Sequence, residues 1–193
     1  MPHRQYVFTV PILLRVYFKY DRRLLSKLCR SAYESLLIFL RTTLKLPHGI
    51  PGCIMTIQTF GEYPDRFHPH LHALVSDELF KRAGTFYVMP KVDLKFLEEI
   101  FRAKVLGMLK AEGKIGDETI RKLLIWRHSG FNVHNGVRIR RSDAEGRERL
   151  SRYILRNTFS VEKMSYAEET GHVIYQSKMT HGKNKKNFEV YEA

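Results

Sequence analysis

Residues 68–75 read His-Pro-His-Leu-His-Ala-Leu-Val, so three of the chain's nine histidines fall within five positions. Side chains on a β-strand alternate between two faces. A strand here therefore sends His70 and His72 to one face, about 6.6 Å apart along the backbone, and Leu71, Ala73 and Val75 to the other, where they can join a core. Pro69 cannot donate a ladder hydrogen bond, so the strand is expected to begin at His70, with His68 at its mouth. Two neutral imidazoles converging from one strand can share a divalent metal and leave positions open for a phosphate oxygen. The alternative is a surface strand whose polar face happens to be histidine.

The rest of the chain narrows the partners. Its 193 residues suit one domain. Lys plus Arg number 33 against 20 for Asp plus Glu, a net charge of +13 that favours a polyanion such as nucleic acid or an anionic membrane surface. Apolar residues at 44% exclude general disorder. Two cysteines, Cys29 and Cys53, exclude a disulfide framework and a four-cysteine zinc site. The opening Met1-Pro2-His3-Arg4-Gln5 lacks the layout of a signal peptide. No apolar run reaches the roughly 18 residues of a membrane span. The expectation is a soluble, cytoplasmic, basic protein with no membrane partner.

Periodicity predicts an α+β fold, a mainly antiparallel sheet carrying the His-x-His strand with helices packed on it. Strands are expected at Gln5–Val10, Cys53–Phe60, His70–Val75, Phe86–Met89 and Phe131–Ile139, the last with a hairpin signal at Asn135-Gly136. Helices are expected from Asp21 to about Leu44, Asp93 to Lys110, Asp117 to Trp126, and from Ser142 or Asp143 to Arg156. A terminal hairpin pairs Met164–Tyr166 with Val173–Gln176. Adjacent strands are often joined by loops too short for a helical crossover, which favours antiparallel pairing.

The run Phe67-His68-Pro69-His70-Leu71-His72-Ala73-Leu74-Val75-Ser76-Asp77 resembles the histidine–hydrophobe–histidine motif of the two-tyrosine (HUH-type) rolling-circle insertion-sequence transposases. Pro2–Pro11, Ile57–Gly61, Trp126–Ile139 and Leu150–Arg156 are similar to further segments of that family, so the resemblance covers essentially the whole chain. It implies an HUH endonuclease-like core for DNA transposition: a metal-dependent nickase of single-stranded DNA. In such enzymes a tyrosine attacks a phosphodiester, holds the 5′ end as a phosphotyrosine and passes it on in a second attack. His70 and His72 match the family's metal-binding pair. A third ligand is expected at Gln58, with Glu62, Asp65, His68 and His134 as alternatives. Such a set suits Mg²⁺ or Mn²⁺. His128 is read as a ligand or as a hydrogen-bonding residue beside the sheet.

The chain also departs from the family's pattern. The family's cysteine-rich zinc region would precede Pro2, and its tyrosine pair is expected beyond Ala193. Glu78 stands where the pattern has glycine. Tyr17 and Tyr20 have the pair's spacing at the wrong end, while Tyr153, Tyr166, Tyr175 and Tyr191 are read as core, strand or tail aromatics. The expected product is residues 1–177 as transposase core and 178–193 as a basic tail, a DNA-binding core without its nucleophile and inactive as an enzyme. Arg138, Arg140, Arg141, Arg147, Arg149, Arg152 and Arg156, then Lys183 and Lys185, are the expected phosphate-contacting set. Two other classes compete: a non-catalytic nucleic-acid-binding module, and a hydrolase with metal-activated water, against which stands the lack of His-Glu-x-x-His.

Overall fold

The computed structural model describes residues 2–61, 66–80, 86–90, 92–126, 129–155, 160–176 and 188–192. Among these, five helices and eight strands form an α+β fold whose strand pairs are all antiparallel. The main sheet contains β1 (His3–Thr9), β2 (Ile50–Phe60), β3 (Phe67–Phe80), β4 (Phe86–Val88) and β5 (Asn132–Ile139), in the order β2-β3-β1-β5 with β4 alongside β3. The histidine strand β3 is thus internal over most of its length. Among the described residues, no helix is long and apolar enough to cross a membrane.

One face of this sheet is built from Tyr6, Phe8, Leu71, Ala73, Val75 and Val133, all buried. The helices α1 (Ile12–Tyr20), α2 (Arg23–Leu44) and α3 (Lys95–Ala111) share that core through Leu14, Phe18, Leu28, Leu36, Phe39, Leu97, Phe101 and Val105. Phe101 meets Phe8 edge-on at 4.9 Å and Phe131 at 5.9 Å, geometry that suits the ring quadrupoles. On α2 the stripe Leu25, Leu28, Ala32, Leu36, Phe39, Leu40 is buried, as its spacing predicts. The shorter α4 (Asp117–Ile125) adds Leu123.

The opposite face carries a second, small apolar cluster. Helix α5 (Ala144–Leu155) lies there, with Leu150 and Ile154 packed on Ile139 and Leu74. Asp143 begins the helix: its carboxylate accepts the Gly146 N–H at 2.7 Å. At Gly146 a Cβ would meet that carboxylate in its capping position, so a larger residue there would have to displace the Asp143 side chain.

Three elements differ from expectation. β3 starts at Phe67, not His70. Pro69 is tolerated because the β2–β3 register slips there: Gln58 faces His70 and Phe60 faces Phe67, so His68 and Pro69 bulge opposite Thr59. Asn135-Gly136 makes no hairpin; with Gln5 opposite Val137 and Val7 opposite His134, the pair forms a bulge within β5. Helix α1 went unforeseen because Ile12-Leu13-Leu14-Arg15-Val16-Tyr17-Phe18 reads as β-branched and aromatic.

The C-terminal region forms a separate three-stranded sheet, β6 (Met164–Ala167), β7 (His172–Gln176) and β8 (Phe188–Glu192). The expected hairpin is present as β6–β7. β8 falls within what the sequence marks as tail and pairs with β7, Gln176 facing Phe188. An Arg66–Glu189 ion pair links this sheet to the start of β3.

Candidate metal and nucleophile site

Because β3 begins early, His68, His70 and His72 occupy alternate positions of one strand and form a ladder. Their ring centroids are 5.1 Å apart from His68 to His70 and 5.0 Å from His70 to His72. The His70–His72 juxtaposition is the one the alternation predicts. The His70 Nδ1 lies 2.8 Å from the His68 carbonyl oxygen. An oxygen acceptor requires a protonated nitrogen opposite it, so Nδ1 carries the hydrogen and Nε2 keeps its lone pair. That is the usual arrangement of an imidazole that ligates a metal. The donor chemistry of His70 therefore fits a divalent cation.

His68 is half-buried. Its Nε2 is buried and has no hydrogen-bond partner among the described residues. Burial first, then the charges of Arg15 and His70, push its pKa down to about 4, so its ring is neutral at neutral pH and able to act as a ligand.

His72 is almost fully buried, 2% exposed, and two residues from other elements address it. The side-chain amide nitrogen of Gln5, itself buried on β1, lies 2.9 Å from His72 Nδ1 and donates to it. The ring of Tyr153, from α5, stands edge-on to the imidazole with centroids 5.3 Å apart. Tyr153 is 42% exposed, so its place is neither core nor sheet. Tyr175, by contrast, is buried at 3%, as expected of a strand aromatic.

Gln58 faces His70 across the β2–β3 pair. Its amide nitrogen donates to the Ile154 carbonyl at 3.3 Å, which uses the nitrogen and not the oxygen that would ligate a metal, and ties the end of α5 to the sheet. His134 stands two strands from His72, both register-paired with Val7, and is exposed with its ring over Gly136. Glu62, Asp65 and His128 lie outside the described residues. Among the described residues, no group of three or more His, Cys, Asp or Glu side chains is placed to hold a metal ion. A metal held at His70 and His72 would need further oxygen ligands, for which the Gln58 amide oxygen, opposite His70, is one candidate.

The arginines divide by role. Arg138 donates to Asp77 Oδ2 at 2.6 Å and Arg4 to Oδ1 at 2.5 Å, clamping a carboxylate that is fully buried. Arg138 is thus occupied by an internal partner. Arg140 and Arg141 are exposed where β5 turns into α5. Arg147 donates to the Arg141 carbonyl, and Arg149 and Arg152 form i,i+4 pairs with Glu145 and Glu148 on the outer face of α5. Arg156, Lys183 and Lys185 lie outside the described residues.

Sequence reasoning passed over Gln5, and it read Tyr153 as an ordinary aromatic with the nucleophile expected beyond Ala193. The signal for Tyr153 was its place three residues beyond Leu150 and one before Ile154 on an amphipathic helix, beside the buried stripe rather than in it. Gln5 had the weaker signal of a polar residue at the start of the apolar run Tyr6-Val7-Phe8.

The family model Y2_Tnp, described as "Putative transposase", matches residues 52–192, a span that holds both the histidine ladder and α5. No curated protein and no solved structure matches the chain. With a match that extends over well more than half of its length, the chain belongs to this transposase family.

Proposed function

We propose that this protein is an HUH-type transposase core that cleaves and rejoins single-stranded DNA through Tyr153, with a divalent metal held by His70 and His72. The observation that carries the reading is the placement of an exposed tyrosine ring 5.3 Å from the inner member of a histidine pair on the sheet's second face. A tyrosine esterified to phosphate conserves the bond energy of the phosphodiester for rejoining. A bound Mg²⁺ or Mn²⁺ supplies charge neutralisation at the scissile phosphate.

The chain's own residues do the rest. The Tyr153 oxygen attacks phosphorus, the bond to the 3′ oxygen breaks, and that oxygen leaves as a hydroxyl once it gains a proton. The 5′ phosphate remains on the tyrosine until a 3′ hydroxyl reverses the step. His70 Nδ1–H is fixed by the His68 carbonyl, which aims its Nε2 away from the strand backbone. Arg140 and Arg141, exposed at the start of α5, are placed for backbone phosphates.

The test is a covalent-adduct assay. Wild-type protein with Mn²⁺ and a labelled single-stranded oligonucleotide should give a denaturation-resistant adduct that peptide mapping assigns to Tyr153. Tyr153→Phe should bind the oligonucleotide and give none. An adduct that survives in Tyr153→Phe refutes the assignment. Strand binding with no adduct from the wild type would instead make the chain a nucleic-acid-binding module.

A further inference from the structure

We infer that the corner between α1 and α2 is a second contact surface for single-stranded DNA, where Lys19 and Arg22 meet backbone phosphates and Tyr20 and the Arg22 guanidinium stack bases. The inference rests on the reading of the histidine face as the place where the strand is cut.

The corner is rich in cations and short of acids. Arg15, Lys19, Arg22 and Arg23 lie close together in sequence beside one acid, Asp21. That carboxylate is shared by Arg23 at 3.0 Å and Lys114 at 3.2 Å. Lys19 and Arg22 are exposed and form no ion pair among the described residues, so both are open to an anion from outside.

Aromatic rings say which anion. Tyr20 is 80% exposed, with the Lys19 ammonium 5.9 Å from its ring centroid. The Arg22 guanidinium lies over the Phe67 ring at 5.4 Å. A planar guanidinium seated on one ring has a second face on which a base can stack. Cations interleaved with stacking faces bind single strands with little regard to sequence.

Position favours a strand over an anionic membrane, the other surface that exposed Ile12, Leu13 and Val16 on α1 could meet. Phe67 opens β3, directly before His68 and about 10 Å along the strand from His70. Arg15 on α1 is close enough for its charge to lower the His68 pKa. Arg140 and Arg141 follow Ile139, which is level with Ser76 through His3, and so stand beyond the other end of the ladder. A polyanion laid along the histidines meets cations at both ends.

An oligothymidylate carrying iodouracil at scattered positions tests this with the full chain. By fluorescence anisotropy, Tyr20→Ala should bind it about tenfold more weakly than wild type. Lys19→Gln combined with Arg22→Gln should flatten the salt dependence, the slope of log K against log salt falling by about 1.4 for two lost phosphate contacts. Photo-crosslinking followed by peptide mapping should mark Tyr20. Wild-type affinity in Tyr20→Ala together with an unaltered salt slope in the double variant overturns the inference. So does binding of wild type to phosphatidylglycerol vesicles that the double variant loses while it keeps the strand. Wild type that crosslinks at Tyr20 and gives no Tyr153 adduct supports the corner and overturns the nucleophile. A Tyr153 adduct with no crosslink at Tyr20 does the reverse.

Discussion

Helix α5 carries the proposed nucleophile, yet only a small cluster holds it to the sheet. Leu150 and Ile154 pack on Ile139 and Leu74, apart from the main core, and the Gln58–Ile154 hydrogen bond adds one polar tie. Burying two such side chains stabilises the docked helix by roughly 3–6 kcal/mol in total. Ile154→Ala removes three carbons from a side chain in a residue that is 7% exposed. At about 0.8 kcal/mol per methylene the loss is about 2.4 kcal/mol. At tenfold per 1.4 kcal/mol, local opening of α5 should rise about 50-fold. Hydrogen exchange followed by mass spectrometry should show the amides of residues 144–155 exchanging faster by about that factor, while the helix stays mostly docked and the DNA adduct still forms. Leu150→Ala combined with Ile154→Ala removes about 4.8 kcal/mol, nearly all the docking energy, and should abolish the adduct while a cooperative melt of the main core persists. Unchanged exchange across α5 in Ile154→Ala would refute the two-cluster account, and so would loss of the cooperative melt in the double variant.

Three further outcomes follow from other parts of the fold. Asp77→Ala leaves the Arg4 guanidinium, whose side chain is 12% exposed, without its buried partner and should cost about 3–5 kcal/mol; a thermal melt within about 3 °C of wild type would contradict it. Burial pushes the thiols of both Cys29 and Cys53 up to about 11, so iodoacetamide should label native protein slowly at pH 8 and faster as the pH approaches 11. A labelling profile that levels off near pH 9 would not fit. Gly130 has φ of +73° and a Cβ there would lie 3.2 Å from Pro11 Cα. Gly130→Ala should lower stability to urea by about 2 kcal/mol, whereas Gly116→Ala, with open space at its Cβ, should stay within about 0.5 kcal/mol.

Alternation alone carried the histidine site: Leu71, Ala73 and Val75 are buried on one face and the three rings share the other. Helical periodicity carried α2 and α3 for the same reason, since a stripe that must be dry has to recur every turn. What was illegible depends on contacts between distant residues. That Pro69 sits inside a strand follows from a slip in register with β2, and register is a property of two strands. Arg138 looks like a surface cation until Asp77, 61 positions away, is seen to hold it. Tyr153 is an ordinary helix residue in sequence, and meets His72 only because α5 turns back over β3.

The Asp77 clamp has a consequence for how such a protein can move. Its carboxylate on β3 grips arginines from β1 and β5, so the three strands are cross-braced about 17 Å along from His72. A plate stiffened in this way resists splaying. Motion on the sheet's second face then falls to the element resting on the plate, α5, held by its own small cluster.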